Sequence, residues 1–123
     1  MAKILGVGGI FVKCPKDGLD PKAYNEWWKT HMGVVPSEWG SMEWKSDGQS
    51  FTLLSAFKAG TDYFAPTEAA FMINLRVDDV PGMLEKARAG GAKIIGEVLD
   101  EGYAVFGWFI DPIGIKIELW QDV

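Results

Sequence analysis

Hydrophobic positions along the chain switch between two periods. From Phe71 to Val77 they alternate, with Phe71, Ile73, Leu75 and Val77 on one face and Met72, Asn74 and Arg76 on the other, the two-residue period of a strand with unlike faces. Ile4 to Lys13 is apolar, β-branched and dotted with glycine, and it stops at Cys14-Pro15, because proline lacks the N–H that a strand ladder needs. Between these two strands, Tyr24, Trp27, Trp28, His31 and Met32 fall at offsets 0, 3, 4, 7 and 8, the stripe of an amphipathic helix. Asp20-Pro21 supplies its cap and first helical residue, and Gly33 its left-handed stop. Val80, Met83, Leu84 and Ala87 repeat the 0, 3, 4, 7 spacing, with Asp78-Asp79 before them and Gly90-Gly91 after, which predicts a second helix.

The rest of the chain reads as strands. Val34 to Trp39 and Gly40 to Lys45 are two short ones, and Ser46-Asp47-Gly48 is a hairpin signal leading into a longer run from Ser50 to Lys58. Lys93 to Leu99, Tyr103 to Ile110 and Ile115 to Gln121 complete the set, with Asp111-Pro112-Ile113-Gly114 as a turn. The order is strand, helix, three strands, then the same again, an internal repeat of about sixty residues. Module one covers about residues 1–66 and module two about 67–123. Each half alone leaves one side of its sheet bare. Two βαβββ modules with helices on one side and a curved sheet on the other cure this within a single α+β domain.

Composition narrows the function. Of 123 residues, 48% are hydrophobic and 24% charged, enough apolar surface for a globular core and too much for disorder. Twelve Lys and Arg against seventeen Asp and Glu leave a net charge of −5, and no basic run offers the phosphate neutralisation that nucleic-acid binding demands. No apolar stretch reaches the ~18 residues of a membrane span. The N-terminus carries no signal-peptide core, so a cytoplasmic address is expected. The single cysteine, Cys14, forms no internal disulfide and fits a reducing compartment. Gly6-Val7-Gly8-Gly9 lacks the third glycine of a dinucleotide fingerprint, and no nucleophile elbow, phosphate loop or His-Glu-x-x-His motif occurs.

The run Gly107-Trp108-Phe109-Ile110-Asp111-Pro112-Ile113-Gly114-Ile115-Lys116-Ile117-Glu118-Leu119-Trp120 resembles the "DPxGxxIEL" ending of the vicinal oxygen chelate superfamily, which contains glyoxalase I, bleomycin-resistance proteins and extradiol dioxygenases. Asn74 to Val80 is similar to that family's strand-to-helix entry into its second module. Trp27-Trp28 with His31-Met32-Gly33 is similar to its "FYxxxLG" helix. The resemblance spans nearly the whole chain and implies a cupped mixed sheet built from two paired modules. In metal-bearing members, four residues of the cup, typically His, Glu or Gln, His and Glu, hold a divalent ion. Carried over by position, Glu118 matches the last ligand. The first falls at about Gly9, the third at about Met72, and the second within Ser50 to Phe57, which contains no carboxylate or amide. One oxygen ligand is too few for a catalytic ion, which needs about three protein ligands, so no metal cofactor is expected.

What the resemblance then implies is a glyoxalase/bleomycin-resistance-like protein that binds a small organic ligand in its cup. The alternative is a metal-dependent lyase, isomerase or dioxygenase using Glu118, with its ion completed by water or a partner chain. Glu118 alternates with Ile117 and Leu119 and so points away from their core, where an apolar wall would raise its pKa toward general-base duty. Lys13, Arg76 and Lys116 approach the same cup and favour an anionic or strongly polar ligand. Met72 and Asn74 share Arg76's face. Trp44, Trp108, Phe106 and Trp120, together with Trp39, are the aromatic candidates for a wall that holds a flat ligand. His31 reads as a helix-end residue near the dipole's negative pole rather than a base, and Cys14 as unreactive. Tyr63 and Phe64, in the connection between modules, read equally as a lid or a staple. A homodimer is expected, since it would cover free sheet edges.

Overall fold

The computed structural model describes residues 2–45 and 51–123. Nine elements follow in order: β1 (Ile4–Lys13), α1 (Pro21–Met32), β2 (Met42–Lys45), β3 (Phe51–Phe57), β4 (Phe71–Val77), α2 (Val80–Ala89), β5 (Lys93–Asp100), β6 (Ala104–Ile110) and β7 (Lys116–Asp122). The strands form one seven-stranded sheet in the order β2-β3-β1-β4-β7-β6-β5. β1 and β4 pair antiparallel at the seam between modules. Each module sets its first strand parallel to its last, β1 beside β3 and β4 beside β7, as a sheet built from two repeats requires.

Both helices begin and end where the sequence predicts. The Asp20 carboxylate accepts the Ala23 N–H at 2.8 Å, and that of Asp79 accepts Gly82 N–H at 3.1 Å, each satisfying a first-turn donor. Gly33 closes α1 at φ 72°, a conformation open to glycine at little cost. The turn at Asp111–Gly114 forms, with Gly114 N–H bonded to Asp111 C=O at 3.0 Å. The hairpin turn expected at Ser46-Asp47-Gly48 lies outside the described residues; β2 and β3 on either side do pair antiparallel.

Two expectations are corrected. Val34 to Trp39 is not a strand. Pro36 has no N–H to offer a neighbour, and the Ser37 hydroxyl accepts the N–H groups of Trp39 and Ser41 instead, so a local side-chain turn displaces the ladder. Module one therefore contributes three strands to the sheet and module two four. The stripe of α1 is also not a buried face. Asn25 is the buried residue of α1, while Trp27 and Met32 are exposed. The helix packs chiefly on β3, its aromatic rings contacting one another. His31 stands exposed in the last turn beside Trp27, as a helix-end residue.

α2 packs against β5, β6 and β7. Val77, Val80, Leu84, Ile117 and Leu119 form the core between them. Gly107 permits this approach, because a Cβ there would lie 2.8 Å from Val80 and 2.9 Å from Leu84. The opposite face of the sheet carries a second cluster, Phe11, Phe64 and Met72. The intermodule connection thus turns onto the inner face and closes one end of it with Phe64, 1% exposed.

Candidate functional site

Strand alternation delivers Lys116, Glu118 and Trp120 to the inner face while Ile117 and Leu119 join the outer core. Glu118 is 3% exposed. Register places Asn74 directly beside it on β4 and Trp108 beside it on β6. Its Oε1 accepts Asn74 Nδ2–H at 2.6 Å, and its Oε2 accepts Trp108 Nε1–H at 3.0 Å and the Tyr63 hydroxyl. Three donors, from two strands and the intermodule connection, thus converge on one carboxylate. Lys116 supports the group from behind. Its ammonium donates to the Tyr63 carbonyl at 2.6 Å and lies 5.2 Å from the Tyr63 ring centroid.

Burial lifts the Glu118 carboxyl above its ordinary value of 4.5, against the pull of Tyr63, Trp108, Asn74 and Lys116 in the other direction. Desolvation wins because so little water reaches the group. Burial and the neighbouring Glu118 charge also push the Tyr63 hydroxyl far upward, so it stays a donor. Burial lowers the Lys116 ammonium, partly opposed by Glu118 and Asp62. Because Glu118 holds its proton more tightly folded than unfolded, its stabilising contribution is complete below about pH 4.5 and is lost as pH rises through the folded value. Urea midpoints of the protein and of Glu118→Gln across pH 4 to 8 check this. The midpoint of the protein is expected to fall over that window relative to the variant; parallel curves would refute it.

Above Glu118 opens a cleft of about 780 Å³. Phe11, Phe51, Leu53, Phe106 and Trp120 give its apolar walls, and Asn74, Ser41, Glu43 and Asp122 its polar groups beside Glu118. Trp39 and Tyr103, 81% and 69% exposed, also line it. Phe106 and Trp120 are stacked with centroids 6.4 Å apart, and Phe51 meets Trp120 edge-on at 5.0 Å.

Of the residues singled out from sequence, Glu118, Asn74, Phe106, Trp120 and Trp39 border the cleft. Trp108 reaches it only through its bond to Glu118. Met72 is fully buried in the Phe11–Phe64 cluster. Trp44 points from β2 as an exposed side chain away from the lining. The three cations stand behind or beside the walls. Arg76 pairs with Asp122 and lies over the Trp120 and Phe51 rings, 5.1 and 5.5 Å from their centroids. Lys13 sits 5.6 Å from the Phe64 ring centroid, and Lys116 is under Tyr63.

Tyr63 was left open by sequence, since no period marks a connection. Phe51, Leu53, Glu43 and Asp122 were missed as lining residues. Alternation from Asn74 and Glu118 through the paired strands is the signal that reaches Phe51 and Leu53.

The donor set does not fit a metal ion. Three N–H and O–H groups already direct their positive ends at the Glu118 oxygens. The matching strand pair of module one, Gly9 beside Leu53, brings no ligand, and Asn74, rather than Met72, is the β4 neighbour of Glu118. No group of three His, Cys, Asp or Glu suited to an ion occurs among the described residues.

Two modules, a shared mixed sheet and an inner cleft define the vicinal oxygen chelate fold. The chain is similar to methylmalonyl-CoA epimerase from Mycobacterium tuberculosis at a TM-score of 0.62 and 16% identity, over 98% of this chain and 89% of that one. A glyoxalase/bleomycin resistance protein/dioxygenase superfamily member from Vibrio splendidus 12B01 matches at 0.61 and 14% identity, over 94% and 97% of the two chains. The Mn(II)-bound glyoxalase from Novosphingobium aromaticivorans matches at 0.59 and 19% identity, over 100% of this chain and 40% of its own. No protein-family model and no curated protein matches the sequence.

Proposed function

We propose that the protein binds a small, flat organic molecule in the cleft between its modules, without a catalytic metal. The observation that supports this is the cleft itself, about 780 Å³ with stacked Phe106 and Trp120 on one wall and a hydrogen-bonded carboxylate at its floor. Its volume is that of a small-molecule site, and its chemistry, apolar walls with a few convergent polar groups, is what such sites share. The buried Cys14 suits the cytoplasmic setting expected from sequence. No helix among the described residues is long and apolar enough to cross a membrane.

Trp120 and Trp108 report on occupancy. Titrating the protein with a panel of aromatic metabolites and drug-like heterocycles is expected to quench tryptophan emission saturably. Trp120→Leu should weaken the binding of any hit about tenfold or more, as loss of a stacking wall does. A panel that produces no saturable change would remove the ligand-binding reading. A second reading is proton transfer to or from the bound molecule by Glu118, favoured by its elevated carboxyl pKa beside the cleft. Mass analysis of a bound hit after incubation separates the two, because sequestration returns the molecule unchanged.

A further inference from the structure

Resting on the reading of the cleft as a ligand site, we propose that its occupant is a flat organic cation, an aromatic ring system carrying a protonated nitrogen. Carboxylates reach the lining and basic groups do not. Glu43, Glu118 and Asp122 border the cleft, and among the described residues no Lys or Arg does. The cations nearby are engaged elsewhere: Arg76 with Asp122 and the ring faces, Lys116 with the Tyr63 carbonyl, Lys13 over Phe64. Lys45, two residues along β2 from Glu43, stands exposed to solvent.

The three carboxylates are not equivalent. Asp122 is offset by Arg76, and Glu118 is held by Tyr63, Trp108 and Asn74. Glu43 has only the Ser41 hydroxyl at 3.4 Å among the described residues, which makes it the carboxylate most free to face a ligand. The aromatic walls are the natural complement, since ring faces are electronegative and attract cations, tryptophan most of all. Arg76 already uses the Trp120 and Phe51 rings in this way.

A separate observation argues against an anion. Asn74 is 1% exposed and lines the cleft, yet its amide oxygen has no hydrogen-bond partner among the described residues. A bare buried acceptor is costly, and it calls for a donor. A protonated nitrogen supplies one, whereas an anion brings only another acceptor.

Matched probes separate charge from shape. Calorimetric titration with 1-naphthylmethylamine, protonated at pH 7, 1-naphthylmethanol and 1-naphthylacetate presents one ring system as cation, neutral and anion. The cation is expected to bind about tenfold tighter than the anion, with added salt weakening it and leaving the alcohol unaffected. Glu43→Gln should lower affinity for the cation about fivefold and leave the alcohol unchanged. An anion that binds as tightly as the cation, or a cation preference untouched by both salt and Glu43→Gln, would overturn the charge assignment while the ligand site stands. Absence of heat from all three probes up to millimolar concentration would count against the ligand site itself. Should Glu43→Gln fold poorly, the salt series on the unaltered protein still decides.

Discussion

Replacing Glu118 with leucine is expected to lower the free energy of unfolding by about 3 kcal/mol, although it removes a buried carboxylate. The two effects oppose each other. Taking a carboxylate out of water is unfavourable, and the raised carboxyl pKa records that cost. Leucine relieves it. Leucine also strips an acceptor from the buried Asn74 amide and the half-buried Tyr63 hydroxyl, each left unpaired at about 1–3 kcal/mol. Trp108 Nε1 suffers less, because the Tyr63 oxygen lies 3.2 Å away. Orphaned donors therefore outweigh the relief.

Glu118→Gln is expected to cost no more than about 1 kcal/mol. Gln keeps one acceptor for Tyr63 and Trp108, and its new N–H₂ needs an acceptor on the β4 side. Asn74 has one to give: its unpartnered Oδ1 moves into place by a turn of the amide. Urea unfolding of the three proteins at pH 7 checks the order, with Leu well below Gln and Gln near the parent. A Leu variant as stable as the parent would mean that desolvation, not hydrogen bonding, governs this carboxylate.

Phe64→Ala carries the other large effect, an expected loss of about 3–5 kcal/mol. Phe64 is 1% exposed and packs with Phe11 and Met72, with its ring edge-on to Phe57 at 5.3 Å between centroids. Removing the ring takes away apolar contact and leaves a cavity that strands on both sides hold open, since β1, β3 and β4 are fixed by their ladders. Against a typical domain stability of roughly 5–15 kcal/mol, this leaves a marginal fold. The local consequence is as informative as the global one. Phe64 anchors the connection that presents Tyr63, and Tyr63 stacks on Phe57 at 5.5 Å while bonding Glu118. The variant should lose ligand-induced quenching at temperatures where its far-UV circular dichroism is still native. Quenching retained at full strength would show that Tyr63 is held by its own contacts alone.

The connection that carries these residues explains why part of the site was hidden. Alternation put Glu118 with Lys116 and Trp120 on one face of β7, and Asn74 with Met72 and Arg76 on one face of β4, from sequence, because a strand's period is fixed by its backbone. Glycine, proline and acidic caps placed both helices because they act through local bonds and dihedrals. Val34 to Trp39 misled for the same reason turned around. Its β-branched residues suggest a ladder, but Pro36 and the Ser37 hydroxyl settle the matter locally, and a weak propensity yields to them. The stripe on α1 marked a helix correctly and a buried face wrongly, since periodicity says which residues align and nothing about what covers them.

By itself the sequence determined both helices, the alternation of the strands that form and the aim of Glu118 away from the Ile117–Leu119 core, all of which follow from short-range geometry repeated along the chain, while it counted one strand too many in module one. Only the tertiary structure decided that Tyr63 closes on Glu118, that Arg76 pairs with Asp122 and does not border the cleft, and that Glu43 does. Those outcomes depend on which strands lie side by side and on where a period-free connection comes to rest. Sheet order and loop placement arise from packing between distant residues, which no local pattern encodes.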